Sequence, residues 1–219
     1  MIITLSRQMG SFGDEIAGRV AAELQLRLAD RDFVRGQALA AGVAADLLNR
    51  LFYEEQPNLA IEVLESLSDA PRLAVEGGTA APNPLGTVFA PVLQLSSVNL
   101  EEAARQVAAV MRAAAEQDDI LFLEQGSQVV LQGRPHTLHV QIVAPFELRA
   151  RRVAQSSRVP MAVARRQVRA CDHARADYLA RYHGANWLDP LLYHLVINTG
   201  LWSADDAVAL IVAAARRLI

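Results

Sequence analysis

The sequence predicts an α/β fold of three layers, α/β/α, built on a five-stranded parallel sheet. Two observations carry this. Five apolar runs of three to seven residues alternate with segments of helical period, the pattern of parallel strands covered by helices on both faces. A glycine-punctuated stretch joins the first run to the first helical segment, the opening unit of such folds. At 219 residues the chain is long enough for one domain with a sizeable core.

The elements follow in order. Residues 2–5 read as a short buried strand, residues 6–13 as the glycine loop. From Asp14 the period is helical, with Ile16, Val20 and Leu24 every four residues. Residues 26–29 read as a second strand ending at Asp30-Arg31-Asp32. Residues 33–68 look mostly helical, with breaks near Gly42 and Pro57. Residues 71–99 hold several Pro and Gly and read as a loop excursion, with a short extended piece at 86–95. Asn99 is the expected N-cap of the next helix, with Glu101 and Glu102 in its first turn. Residues 120–123 and 138–144 read as strands, the latter stopped by Pro145. A helix through Arg149 and Val153 follows, and after a break at Pro160 an Arg-rich helix reaches about Tyr182. Residues 195–197 form the last strand, and Ser203 caps a C-terminal helix to about Leu218. The expected organisation is thus a single domain over 1–219. It has a helical and loop excursion at about 33–99 and an Arg-rich region at about 149–184.

Composition narrows the chemistry. All 21 basic residues are Arg and there is no Lys, so Schiff-base and lysine-base chemistry are excluded. Positive charge at an anion site must come from the planar guanidinium fork, backbone N–H groups or a metal. The formal net charge of −3 argues against a dedicated nucleic-acid binder, and no apolar stretch is long enough for a membrane span. The single cysteine, Cys171, precludes a disulfide framework within the chain. With the short apolar run at residues 2–5, too short for a signal peptide, this predicts a cytoplasmic protein. His136, His139, His173, His183 and His194 lack metal-ligand spacing, and the residues leave any metal site unassigned.

A glycine loop between the first strand and helix cradles phosphate when its N–H groups and the helix N-terminus face an anion. The usual pattern is G-x-x-x-x-G-K-S/T. Here Gln8 stands at the first glycine, Gly13 at the second, Asp14 at the lysine and Glu15 at the Ser/Thr. A carboxylate about 4 Å from a phosphate charge costs roughly 4 kcal/mol at an effective dielectric near 20. A tight turn without a ligand is therefore an open reading of this segment taken alone.

The opening I-I-T-L-S-R-Q-M-G-S-F-G-D-E-I-A, residues 2–17, resembles the I-I-T-I-S-R-Q-Y-G-S-G-G-R-E-I-A pattern of the cytidylate kinase-like family. The C-terminal half is similar as well. Residues 138–145 resemble its fourth strand, and Arg149 and Arg152 its first lid arginines. Asp172, Arg175, Tyr178, Tyr182, Gly184, Trp187, Asp189, Pro190, Tyr193 and residues 196–199 match its spaced signature. The resemblance covers roughly 1–35 and 120–219. It implies a P-loop nucleoside monophosphate kinase fold with a helical lid and acceptor region. It also implies transfer of the ATP γ-phosphoryl group, with Mg²⁺, to CMP or dCMP. Such transfer needs positioning and positive charge around the moving group. On this resemblance Arg149 and Arg152 are the catalytic candidates. Arg7, Gly10, Ser11 and Gly13 form the phosphate loop, and Arg31, Asp172 and Arg175 hold the acceptor nucleotide. The metal ligands and the oligomeric state are not given.

Four positions depart from the family pattern in charge or backbone freedom. Asp14 replaces its basic residue, and Phe12 replaces a glycine. Glu124-Gln125-Gly126 replaces G-R-G, so the arginine near the acceptor becomes Gln125. Glu124 is a candidate to position a Mg²⁺-bound water. These departures leave a second reading open: a pseudokinase that binds nucleotide or serves a structural or regulatory role. Within the arginine belt, Arg165, Arg169 and Asp172 share one helix face, and Arg175 follows a further three residues on. Arg166 and Arg181 read as solvated face. Trp187 and Tyr193 read as packing under the lid, and Cys171 as a plain helix cysteine.

Overall fold

The computed structural model describes residues 1–54, 97–117 and 119–218. Five parallel strands lie in the order β2-β3-β1-β4-β5. They are β1 Ile2–Arg7, β2 Arg27–Ala29, β3 Ile120–Leu123, β4 Thr137–Val143 and β5 Leu195–Asn198. β1 is central, pairing with β3 from Ile2↔Ile120 and with β4 from Ile2↔Thr137. Helices are α1 Gly13–Glu23, α2 Arg31–Ala40, α3 Ala45–Glu54, α4 Ser97–Gln117 and α5 Ser127–Val130. They continue with α6 Phe146–Ser157, α7 Met161–His183 and α8 Ala204–Ala215. The expected three-layer α/β/α class is the observed one.

Alternation along β1 divides the core. Ile3 and Leu5 pack with Ile16, Ala17 and Val20 of α1 and with Val208, Ile211 and Val212 of α8. Ile2 faces the other layer, where Val107 and Met111 of α4, Leu48 and Leu51 of α3, and Tyr178 and Leu179 of α7 meet. Burial of such side chains is worth roughly 1.5–3 kcal/mol each. The β1 pairing brings Arg7 and the ends of β3 and β4 to one edge. The carboxyl ends of strands are where open α/β sheets present their sites.

Several boundaries differ from the sequence reading. β1 runs two residues further, so Ser6 and Arg7 end a strand rather than opening the loop. α2 starts at Arg31 because Asp30 caps it, its Oδ1 accepting from the Phe33 N–H at 2.9 Å. α4 begins at Ser97, placing Asn99 inside its first turn instead of at the cap. The short α5 was not expected; it follows three consecutive residues of positive φ. Ser203 caps α8 as expected, in a reciprocal capping box with Asp206. The Pro57 break and the extended piece at 86–95 lie outside the described residues, as do most of the excursion's loop and residues 55–68 of the 33–68 helical reading. Among the described residues no helix is long and apolar enough to cross a membrane.

Candidate functional site

The glycine loop, residues 8–12, leaves β1 at the sheet's centre. Gly10 has φ 78° and packs so tightly that a Cβ there would lie 2.7 Å from the Arg149 carbonyl oxygen, so only glycine fits. At Gly13 a Cβ would lie 2.4 Å from Arg7 Cβ. That glycine lets the Arg7 side chain cross the start of α1. Phe12 occupies left-handed backbone at φ 66°, which costs a non-glycine residue about 1–2 kcal/mol. The Arg152 guanidinium sits 4.0 Å from its ring centroid and offsets part of that cost.

Arginines brace the loop from behind. Arg149 is buried. It donates from Nε to the Ala144 carbonyl at 2.9 Å and from Nη1 to the Met9 carbonyl at 3.3 Å. Its fork also closes on Asp172, at 3.1 and 2.8 Å. Arg152 donates to the carbonyl of Gly10 at 3.2 Å and to Thr199 Oγ1 and O at 3.0 and 2.7 Å. Thr199 Oγ1 in turn donates to the Ser11 carbonyl at 2.9 Å. Burial raises the Asp172 pKa, and Arg149 and Arg175 counter only part of the rise.

The front of the loop is ionic. Arg7 Nη2 donates to Asp14 Oδ1 at 2.6 Å. Arg7 Nη1 lies 2.8 Å from Glu124 Oε2, an ion pair without hydrogen-bond alignment. Arg175 Nε donates to the same Glu124 oxygen at 2.8 Å. Burial alone would raise the Glu124 pKa, but Arg175 and Arg7 prevail and hold it below the usual carboxylate value. Burial likewise works against the charged form of Arg7, and Glu124 and Asp14 overcome it, so its pKa is raised. Glu124 and Gln125 both hold positive φ, at 74° and 52°. Such non-glycine strain persists only where surroundings fix it. Glu124 is thus the shared counter-ion of two buried arginines, and both its oxygens face arginine; the backbone N–H of Arg7 reaches Oε1 at 3.4 Å.

In front of this network lies a cavity of about 180 Å³ lined by Arg7, Asp14, Asp30, Arg31, Asp32, Leu123, Glu124 and Gln125. Four carboxylates against two guanidiniums give its walls a formal charge of −2. Gln125 is only 3% exposed and its amide oxygen has no partner among the described residues.

The structure therefore gathers Arg7, Gly13 and Arg31 at the front and Gly10, Ser11, Arg149, Arg152 and Asp172 at the back. It gives Asp172 and Arg175 different partners: the first holds Arg149, the second holds Glu124. The expected lid face of α7 is turned onto α6. Arg165 pairs there with Glu147 at 2.9 Å, and Arg169 lies over the Phe146 ring. Sequence reasoning missed Thr199 as a partner of Arg152 and Glu124 as the hub. The packing residues behave as expected. Trp187 is buried and donates from Nε1 to Ser6 Oγ at 2.8 Å, and burial pushes the Tyr193 hydroxyl up to about 12. Burial also raises the Cys171 thiol pKa, which makes it unreactive.

A family model described as the cytidylate kinase-like family matches residues 2–201. The chain belongs to this family. A cytidylate kinase of Methanopyrus kandleri is 30% identical over 111 residues, 47% of this chain and 58% of that protein. One of Aeropyrum pernix is 31% identical over 78 residues, 36% of this chain and 45% of that protein. The chain thus matches about half the length of these curated relatives. A solved structure of an uncharacterized protein from Eubacterium ventriosum shares the fold at TM-score 0.66 and 18% identity, with 99% and 98% of the two chains covered. Its likeness concerns the fold alone.

Proposed function

We propose that the protein is a nucleoside monophosphate kinase, with ATP as phosphoryl donor and CMP or dCMP as acceptor. One observation carries this reading: the glycine loop is braced from behind, and Arg7 and Asp14, which flank it, line a cavity together with Arg31. Gly10, Ser11 and Gly13 supply the turn that carries the chain to the N-terminus of α1, whose backbone faces the donor phosphates, and Arg7 supplies charge. Arg31 faces the acceptor and Arg175 acts on its far wall through Glu124, while Asp172 acts on the loop through Arg149. Arg149 and Arg152 position the loop, since their donors are already engaged by its carbonyls and by Thr199.

Magnesium fits this donor set in one way. The front carboxylates are hard oxygen ligands, but no three acidic, His or Cys side chains among the described residues converge on one point. Asp14 and Asp32, both exposed, would hold the ion together with phosphate oxygens, its usual arrangement in such sites. Bound there, it neutralises charge on the transferring group.

The acidic front, with Asp14 and Gln125 in place of cations, favours a second reading, a nucleotide-binding protein without turnover. A steady-state assay with ATP, Mg²⁺ and a panel of nucleoside monophosphates separates the two. Turnover highest with cytidylates supports the kinase. No turnover with any acceptor, beside retained calorimetric binding of ATP or CMP, supports the second reading.

A further inference from the structure

Asp14 is the departure that most opposes phosphate, and its placement gives it a specific role. Arg7 crosses the start of α1 in the space Gly13 leaves. Its Nε and Nη1 are buried, and Nη1 lies against Glu124. Nη2 is its outward nitrogen, and the carboxylate of Asp14, a side chain 72% exposed, rests on it at 2.6 Å. Asp14 also stands in the first turn of α1, where backbone N–H groups favour an anion. A guanidinium and a helix N-terminus are the two groups that seat phosphate.

We infer that Asp14 is a tethered carboxylate occupying the anion seat, and that a phosphoryl group binds there by displacing it from Arg7. Removing it leaves Arg7 oriented, because Glu124 still holds the other side of the guanidinium. Asp14 therefore sets the threshold for anion entry, and Glu124 keeps the seat formed. This rests on the phosphate-loop reading above, but it concerns anion affinity and not turnover.

The test is calorimetric titration of the full chain with inorganic pyrophosphate in EDTA. Asp14→Asn is expected to bind about fivefold tighter or more, since one unit charge a few ångström away is worth about 1 kcal/mol even at the dielectric of water. In an Arg7→Lys background, which keeps the charge but loses the fork, the same change should gain less. Melting curves confirm that each variant is folded. An Asp14→Asn protein that binds pyrophosphate no more tightly than the parent overturns the inference, whatever its stability. Failure of both forms to phosphorylate CMP would sink the kinase reading and leave this result standing.

Discussion

The back and the front of the glycine loop use the same residue type in opposite ways. Behind it, Arg149 and Arg152 meet carbonyl oxygens, Thr199 and one carboxylate, and their hydrogen bonds hold the loop's shape. In front, Arg7 and Arg31 share a cavity with four carboxylates. Arginine acts by the acceptors within its reach: neutral carbonyls consume its donors without opposing an anion, whereas carboxylates compete with one directly. The back is thus a strut and the front a contested site.

The largest expected effect strikes the front. Glu124→Ala leaves Arg7 and Arg175 buried without their shared counter-ion, and should cost about 3–5 kcal/mol in urea unfolding. Arg149→Met, at the back, should cost about 2–4 kcal/mol, because it strands partly buried Asp172 and frees the Met9 carbonyl. A small loss from Arg149→Met would break the comparison, since the back would then not be a strut.

Acid pH sharpens it further. Above its unfolded pKa near 4.5, Glu124 stabilises the fold, and that stability is lost as pH falls through its lowered folded value. His139 acts earlier. It lies buried on β4, sharing a hydrogen bond of 2.7 Å between Nδ1 and Thr4 Oγ1. Burial and neighbouring His194 hold its pKa at about 4 against an ordinary 6.5. The unfolded chain takes up this proton first, so stability should fall from pH 6.5 toward 4 by up to about 1.4 kcal/mol per unit. His139→Gln should flatten that stretch in pH-dependent melting, leaving the loss at lower pH to Glu124. The smallest effect concerns Phe12. Phe12→Ala keeps the left-handed strain and loses the Arg152 contact, costing about 0.5–1 kcal/mol. Phe12→Gly also relieves the strain and should stay within about 0.5 kcal/mol of the parent.

Much of the fold was legible because strand and helix periods leave direct marks. Ile2, Ile3 and Leu5 announce a strand buried on both faces, and Ser203 announces its cap. The short α5 carried no such mark, since it depends on Glu124 and Gln125 adopting backbone that neither residue prefers. The site was legible as a set of residues but not as a set of pairs. Spacing placed Asp172 and Arg175 together on α7, yet their partners, Arg149 and Glu124, come from α6 and from the end of β3. Asp14 read as pure repulsion because Arg7, seven residues earlier, is brought to it only by the turn at Gly10–Gly13.

The division of labour around the loop is tested most directly by a crystal structure with ADP and Mg²⁺ bound. The terminal phosphate is expected at Gly10–Gly13 against Arg7, with Asp14 released from Arg7 and turned to the metal ion, and the Arg149–Asp172 fork intact. A phosphate seated on Arg149 and Arg152, with Asp172 released and Arg7 still on Asp14, would contradict it.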